Sequence, residues 1–380
     1  MLLSNLSAHL LPLLSSPAFL TPAAPTPQIP NPNPTQLHAL ALAGLAGELL
    51  EAFDDLGLGL EADARGEGLK MIRDSLMSVV SRVVDPLIGG IKAELIPLIV
   101  ALENPINITL GSPKMLAGTK SYIVHHPSIV ALQTTMPIYA RALTRYTAWT
   151  TSQAALASLL ISLLWRGLVA LSNRPYQSGS PPGSPGLSSA VLKGRRQSAS
   201  MSPPATPPSM RFAIKLPPSR PPSPPFVQVP STAAADARAL YDLLSRLPRP
   251  VAASQLAREA VDEAFDGLKG LAVLLEAEQT NAFAKGDQIE LERLTANLPT
   301  LIALPIVLRG HGSTSRTVAE MLGISEDEYR KGCLFGFSRA EEYAAAVGQR
   351  VLVTLTNEAQ TSANVAVTKW LEVELASADG

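Results

Sequence analysis

The sequence predicts an all-α protein in which two helical-bundle regions, packed separately or as one domain, flank a long disordered Pro/Ser-rich linker. Three observations carry that prediction. Apolar residues recur at steps of three and four along most of the chain, the period of an amphipathic helix. Aromatics make up only 5% of residues against 46% apolar overall, so the core must come from Leu, Ala, Val and Ile, and Leu and Ala are strong helix formers. Between residues 173 and 232 the pattern lapses: fifteen of the 33 prolines fall there, with seven Lys/Arg and no Asp or Glu. A stretch with so little to bury cannot offset the entropy of ordering it.

These boundaries divide the chain into an N-terminal arm (1–34), a helical region (35–172), the basic linker (173–232) and a second helical region (233–380). Eight prolines between Pro12 and Pro34 mark the arm as extended and weakly ordered. Beyond it, Leu42, Leu45, Leu49, Phe53 and Leu56 form a first stripe. A second runs Leu69, Ile72, Leu76, Val79, Val83, Leu87, Ile91, Leu95, Leu98 and Leu102. Pro86 and Pro97 lie inside it and predict two or three pieces with kinks or breaks. Ile129, Leu132, Met136, Tyr139, Leu143 and Tyr146 make a third stripe, and 152–171 a fourth helix that is apolar nearly all round.

After the linker, Leu240, Leu243, Leu244 and Leu247 precede Pro248 and Pro250. Leu256, Val261, Phe265, Leu268, Leu271 and Leu275 follow, with Ser254 as N-cap, and then a shorter piece through Ile289, Leu291, Leu294 and Leu298. Ser325 with Glu328 has capping-box spacing, and Glu326 and Asp327 suit a helix N-terminus. From there one long seam runs Tyr329, Cys333, Phe337, Ala340, Ala344, Val347, Val351 and Leu355; a last helix holds Val365, Val367, Trp370 and Leu371. Nothing alternates over a length that would outvote helix, and no repeat of fixed period implies a solenoid.

Chemistry is sparse. The single cysteine, Cys333, excludes an internal disulfide framework and a cysteine-rich zinc site, and fits a reducing compartment. Its place on an apolar seam makes it a packing residue. His125-His126 and His311 lack neighbours at metal-ligand spacing and read as loop histidines. Gly310-His311-Gly312-Ser313-Thr314 lacks the lysine and preceding strand of a phosphate loop. Thr317 to Glu326 has helix-turn-helix spacing, yet Glu326, Asp327 and Glu328 would face DNA phosphates, so the motif reads as a structural corner. No catalytic, metal or cofactor-binding residue emerges, and no cofactor is implied.

The functional reading is a non-enzymatic scaffold or adaptor for protein partners, in the cytoplasm or nucleocytoplasm. The N-terminus lacks the basic residues of a signal or transit peptide, and a net charge of −1 gives no pull toward nucleic acid. Regulation falls on the linker. Ser180, Ser184, Ser202, Thr206 and Ser223 each precede proline, and Ser198 ends Arg195-Arg196-Gln197-Ser198, a basophilic kinase context; phosphorylation there would reverse the linker's charge. Lys215, Pro218 and Pro221 have the spacing of a polyproline ligand for SH3-type domains. Two alternatives compete. One is a membrane-associated factor anchored by 154–171, although Arg166 inside that run opposes spanning. The other is an enzyme whose site assembles from scattered residues.

Overall fold

A computed structural model describes residues 2–20, 31–59, 67–105, 121–175, 227–251, 254–280, 282–285, 288–312, 316–334, 337–357 and 362–378. The described chain is all-α but for one two-stranded ladder. Before the linker come α1 (Leu2–Leu14), α2 (Pro17–Leu20), α3 (Pro34–Asp55), α4 (Glu67–Val100), α5 (Pro127–Tyr146) and α6 (Gln153–Ser172). After it come α7 (Ala233–Leu244), α8 (Gln255–Gln279), α9 (Gln288–Thr295), α10 (Thr300–His311), α11 (Val318–Leu322), α12 (Glu326–Cys333), α13 (Phe337–Asn357) and α14 (Ser362–Ala378). Strands β1 (Ser121–Val124) and β2 (Val227–Pro230) pair. At four residues each they are too short to leave an alternating pattern in sequence.

One compact unit contains Met1–Ile108, Ile123–Pro175 and Pro230–Gly380, so helices from both sides of the linker share a core. Of the second unit, 109–122 with 176–229, only strand residues are described. At the centre of the first unit is α6, packed against α4, α7, α8 and α10. It is the one described helix long and apolar enough to cross a membrane, yet it is mostly enclosed by its neighbours. Its only exposed positions are Ala154 and Ser158.

Several sequence expectations change on contact with the structure. The weakly ordered arm is corrected over 2–20: α1 packs on α3 and α4, burying Leu6 and Leu10, and α2 buries Phe19. Leu6 and Leu10 are one turn apart, and Pro12 comes late enough in α1 to leave that turn intact. Residues 21–30 lie outside the described residues. On α3 the buried face is Gln36, Ala39, Leu40, Ala43, Gly44, Ala46, Gly47 and Leu50, while Leu45 and, just past the helix, Leu56 are exposed. Shape decides this: the Trp149 ring lies against Gly44 and Gly47, where a Cβ on Gly47 would sit 2.5 Å from Cδ1 of the indole.

Pro86 and Pro97 do not divide α4, which is assigned as one helix of 34 residues. Each proline deprives the carbonyl four residues earlier of its partner, and Arg82, Pro86, Ala93 and Pro97 are all exposed, so water can serve those carbonyls. The third stripe holds, with all six of its residues buried in α5. Leu256 and Ile289 are exposed instead of buried, as is Val365, and Ser254 makes no side-chain cap. The long seam after Ser325 breaks between α12 and α13. Gly332 lets the chain fold back, since a Cβ there would lie 2.2 Å from Cε1 of Tyr343. Sequence periodicity assigns nothing to α10, whose Leu301 to Leu308 are buried on every side. Full burial removes the polar face on which a period depends.

Candidate functional site

Residues 173–175 and 230–232, which composition assigns to the disordered linker, belong instead to the helical body, where they form a buried polar corner between the two sides of the chain. Arg174 follows α6, and Asp236 lies in the first turn of α7; Nη1 of Arg174 is 2.5 Å from Oδ2 of Asp236. Their side chains are 5% and 0% exposed, so this pair is desolvated. Ser231 Oγ donates to the other carboxylate oxygen of Asp236 at 2.7 Å, and Ser231 N donates to Val124 O at 2.9 Å. Thr232 caps α7, its side chain accepting from Ala235 N. An Ala-rich first turn permits this close approach: Ala234 and Ala237 are buried beside Asp236.

His126 completes the corner. Its Nδ1 accepts from Ser128 N at 3.1 Å and caps α5, while Nε2 lies 3.1 Å from Asn104 O. Those partners define the neutral tautomer with the proton on Nε2. Burial, and then the charge of Arg174, holds the imidazole pKa below its ordinary value. The expected loop histidine is therefore a buried cap, whereas its neighbour His125 is exposed.

A cavity of about 390 Å³ opens nearby, lined by Glu103, Arg309, Arg316, Glu326, Tyr329 and Arg330, together with Asn173 and Pro175 where the linker departs. Two of its guanidiniums are matched by acids. Arg309 Nε donates to Glu278 at 3.0 Å and Nη1 to Ser172 O at 2.7 Å. Arg330 pairs with Glu103, and with Asp327 at 2.8 Å. Arg309 Nη2 and Arg330 Nε are buried without a protein hydrogen-bond partner. The Glu103 pKa is raised by burial, opposed by Arg330. Tyr329 donates its hydroxyl to Leu301 O at 2.9 Å, and burial pushes its pKa up. Burial likewise pushes the Cys333 thiol up to about 12, away from the reactive thiolate. All three shifts favour the neutral form, so none prepares a nucleophile. Chemically the cavity offers compensated charge and hydrogen-bond donors.

The remaining motifs resolve into structure. Thr317 and Glu320 form a complete capping box for α11, which ends at Gly323 with φ of 71°. Ser325 accepts from Glu328 N to open α12, one half of the capping box that its spacing predicts. His311 is the last residue of α10 instead of a loop residue, and its ring stacks on Phe283 with centroids 5.3 Å apart. Among the described residues no three His, Cys, Asp or Glu side chains gather as metal ligands.

Ser180, Ser184, Ser198, Ser202, Thr206 and Ser223 lie outside the described residues, as do Lys215, Pro218 and Pro221. Sequence reasoning missed Arg174, Asp236, Glu103, Arg309 and Arg330. The one local signal was Asp236, an acid on the apolar side of an Ala-rich helix start. Comparison with known proteins finds no matching family profile, curated protein or solved structure.

Proposed function

We propose that this protein is a non-enzymatic adaptor, an α-helical body that presents a basic Pro/Ser-rich segment to protein partners in the cytoplasm or nucleocytoplasm. The observation that carries this reading is the Arg174–Asp236 pair, reinforced by Ser231. It brings together the points where the chain leaves the body for 176–226 and where it returns. A segment held at both ends on one body keeps its sequence available to partners without demanding order from it. Phosphorylation of Ser180, Ser184, Ser198, Ser202, Thr206 or Ser223 would change its charge from basic toward acidic and so change which partners bind. The Lys215, Pro218 and Pro221 spacing would suit a polyproline-binding domain.

The membrane alternative draws less support, because α6 would have to leave α4, α7, α8 and α10 to enter a bilayer. The test is affinity capture from native lysate with 176–226 intact or replaced by a Gly/Ser chain of equal length, with thermal stability measured on both. Stoichiometric partners lost on replacement, at unchanged stability, support the adaptor. Equal recovery of partners from both proteins refutes the role given to the segment.

A further inference from the structure

We infer that residues 1–175 and 230–380 form an obligate interface strong enough to hold the protein together as a two-chain particle when the chain between them is cut. This goes beyond the adaptor reading and is independent of what the segment binds.

Helix α6 belongs to the first half, yet much of its surface is covered by α7, α8 and α10 of the second. Leu156, Leu159, Leu160, Leu163, Leu164 and Leu168 are all buried among helices of both halves, so removing the second half would uncover part of this apolar surface, Leu168 included. The same holds across the interface, where α8 buries Leu268, Leu271, Leu274 and Leu275. Fit is close. A Cβ on Gly167 would sit 2.7 Å from Leu240 Cδ2, and one on Gly267 would sit 3.7 Å from Leu168 Cδ1. Apolar interfaces of this kind resemble a domain core cut in two, the signature of obligate pairs.

Polar contacts then fix the register between the halves. Val251 N donates to Gln153 Oε1 at 3.1 Å, and Gln153 itself is buried. Arg309 reaches Ser172 O, Arg330 pairs with Glu103, and Arg174 pairs with Asp236. Each joins a residue of the first half to one of the second, and none involves 176–226. Hydrolysis there adds water across one peptide bond, leaving a carboxylate and an ammonium, and cuts none of these four contacts.

The full-length protein treated briefly with trypsin supplies the test, since Lys193, Arg195, Arg196, Arg211 and Lys215 lie between the halves. Denaturing electrophoresis should show two fragments of about half the chain, while native size exclusion shows one peak at the uncut volume with unchanged helical circular dichroism. Fragments that elute apart, or cleavage that proceeds into α6 or α8 as fast as between the halves, would overturn the inference. If trypsin leaves 176–226 uncut, a site-specific protease sequence inserted after Gly194 gives the same readout with the same two outcomes.

Discussion

Arg174 and Asp236 meet with almost none of either side chain exposed, and Ser231 occupies the second oxygen of the carboxylate. Arg330 and Glu103 meet with 28% and 20% of their side chains exposed, and the guanidinium keeps one N–H without a protein partner. Both pairs join the first half of the chain to the second, so the difference between them is one of environment. Out of water each member of an ion pair depends wholly on the other, because a charge left alone has nothing to replace its hydration. Beside a cavity, solvent and neighbouring acids soften the loss. The closed pair should therefore act as a clasp and the open one as an adjustable contact.

The comparison breaks most decisively at Asp236. Asp236→Ala leaves the Arg174 guanidinium buried and unpaired, at a cost of about 3–5 kcal/mol, read by urea denaturation. Replacing both partners, Arg174→Met with Asp236→Leu, should recover most of that loss; no recovery would mean that the ion pair is not the source. At the cavity, Arg330→Ala should cost about 1–2 kcal/mol, discounted for its exposure. Glu103→Gln should cost less, since burial already works against the Glu103 charge. A double-mutant cycle across the two checks that ordering.

Acidification should come next in size. His126 and His311 both have pKa values lowered by burial. Such a histidine binds its proton first in the unfolded chain, so its contribution is full above about pH 6.5 and is lost progressively as pH falls from there through the lowered folded value. His126→Asn retains a helix-capping acceptor and should flatten part of the slope, measured as melting temperature between pH 7.5 and 5.5. His311 should leave a residual slope. The smallest effect belongs to Arg238 and Glu276, paired with 54% and 48% of their side chains exposed. Arg238→Ala should change stability by about 1 kcal/mol or less, and the change should vanish in high salt.

The fold was legible wherever one helix face alone decided burial. On α5 a polar face opposes the six buried stripe residues, and the pattern shows it. On α3 the choice of face rests with Trp149, about a hundred residues away in sequence, whose ring needs Gly44 and Gly47 beneath it. A leucine stripe cannot announce a partner selected for shape. In α10 the enclosure is complete from Leu301 to Leu308 and the period disappears. The polar corner was illegible for a related reason: Glu103 and Arg330 are 227 positions apart, and arginine carries no mark that separates a buried partner from a surface one. What the sequence did reveal was the end of α6 at Ser172, because the composition changes there.

The clasp also bears on how this chain could change over evolutionary time. With both ends of a loop already held, the entropic cost of its length grows only logarithmically, about 0.6 kcal/mol for each doubling. The Pro/Ser-rich composition of 176–226 predicts that insertions and deletions there are nearly neutral for stability, so new recognition sequences could accumulate without compensating substitutions in the core. The helical body, by contrast, would tolerate few changes of length between Gln153 and Ser172, because an inserted residue rotates every later side chain of a helix by about 100°. Selection would thus act on the two parts almost independently, on geometry in one and on motif content in the other.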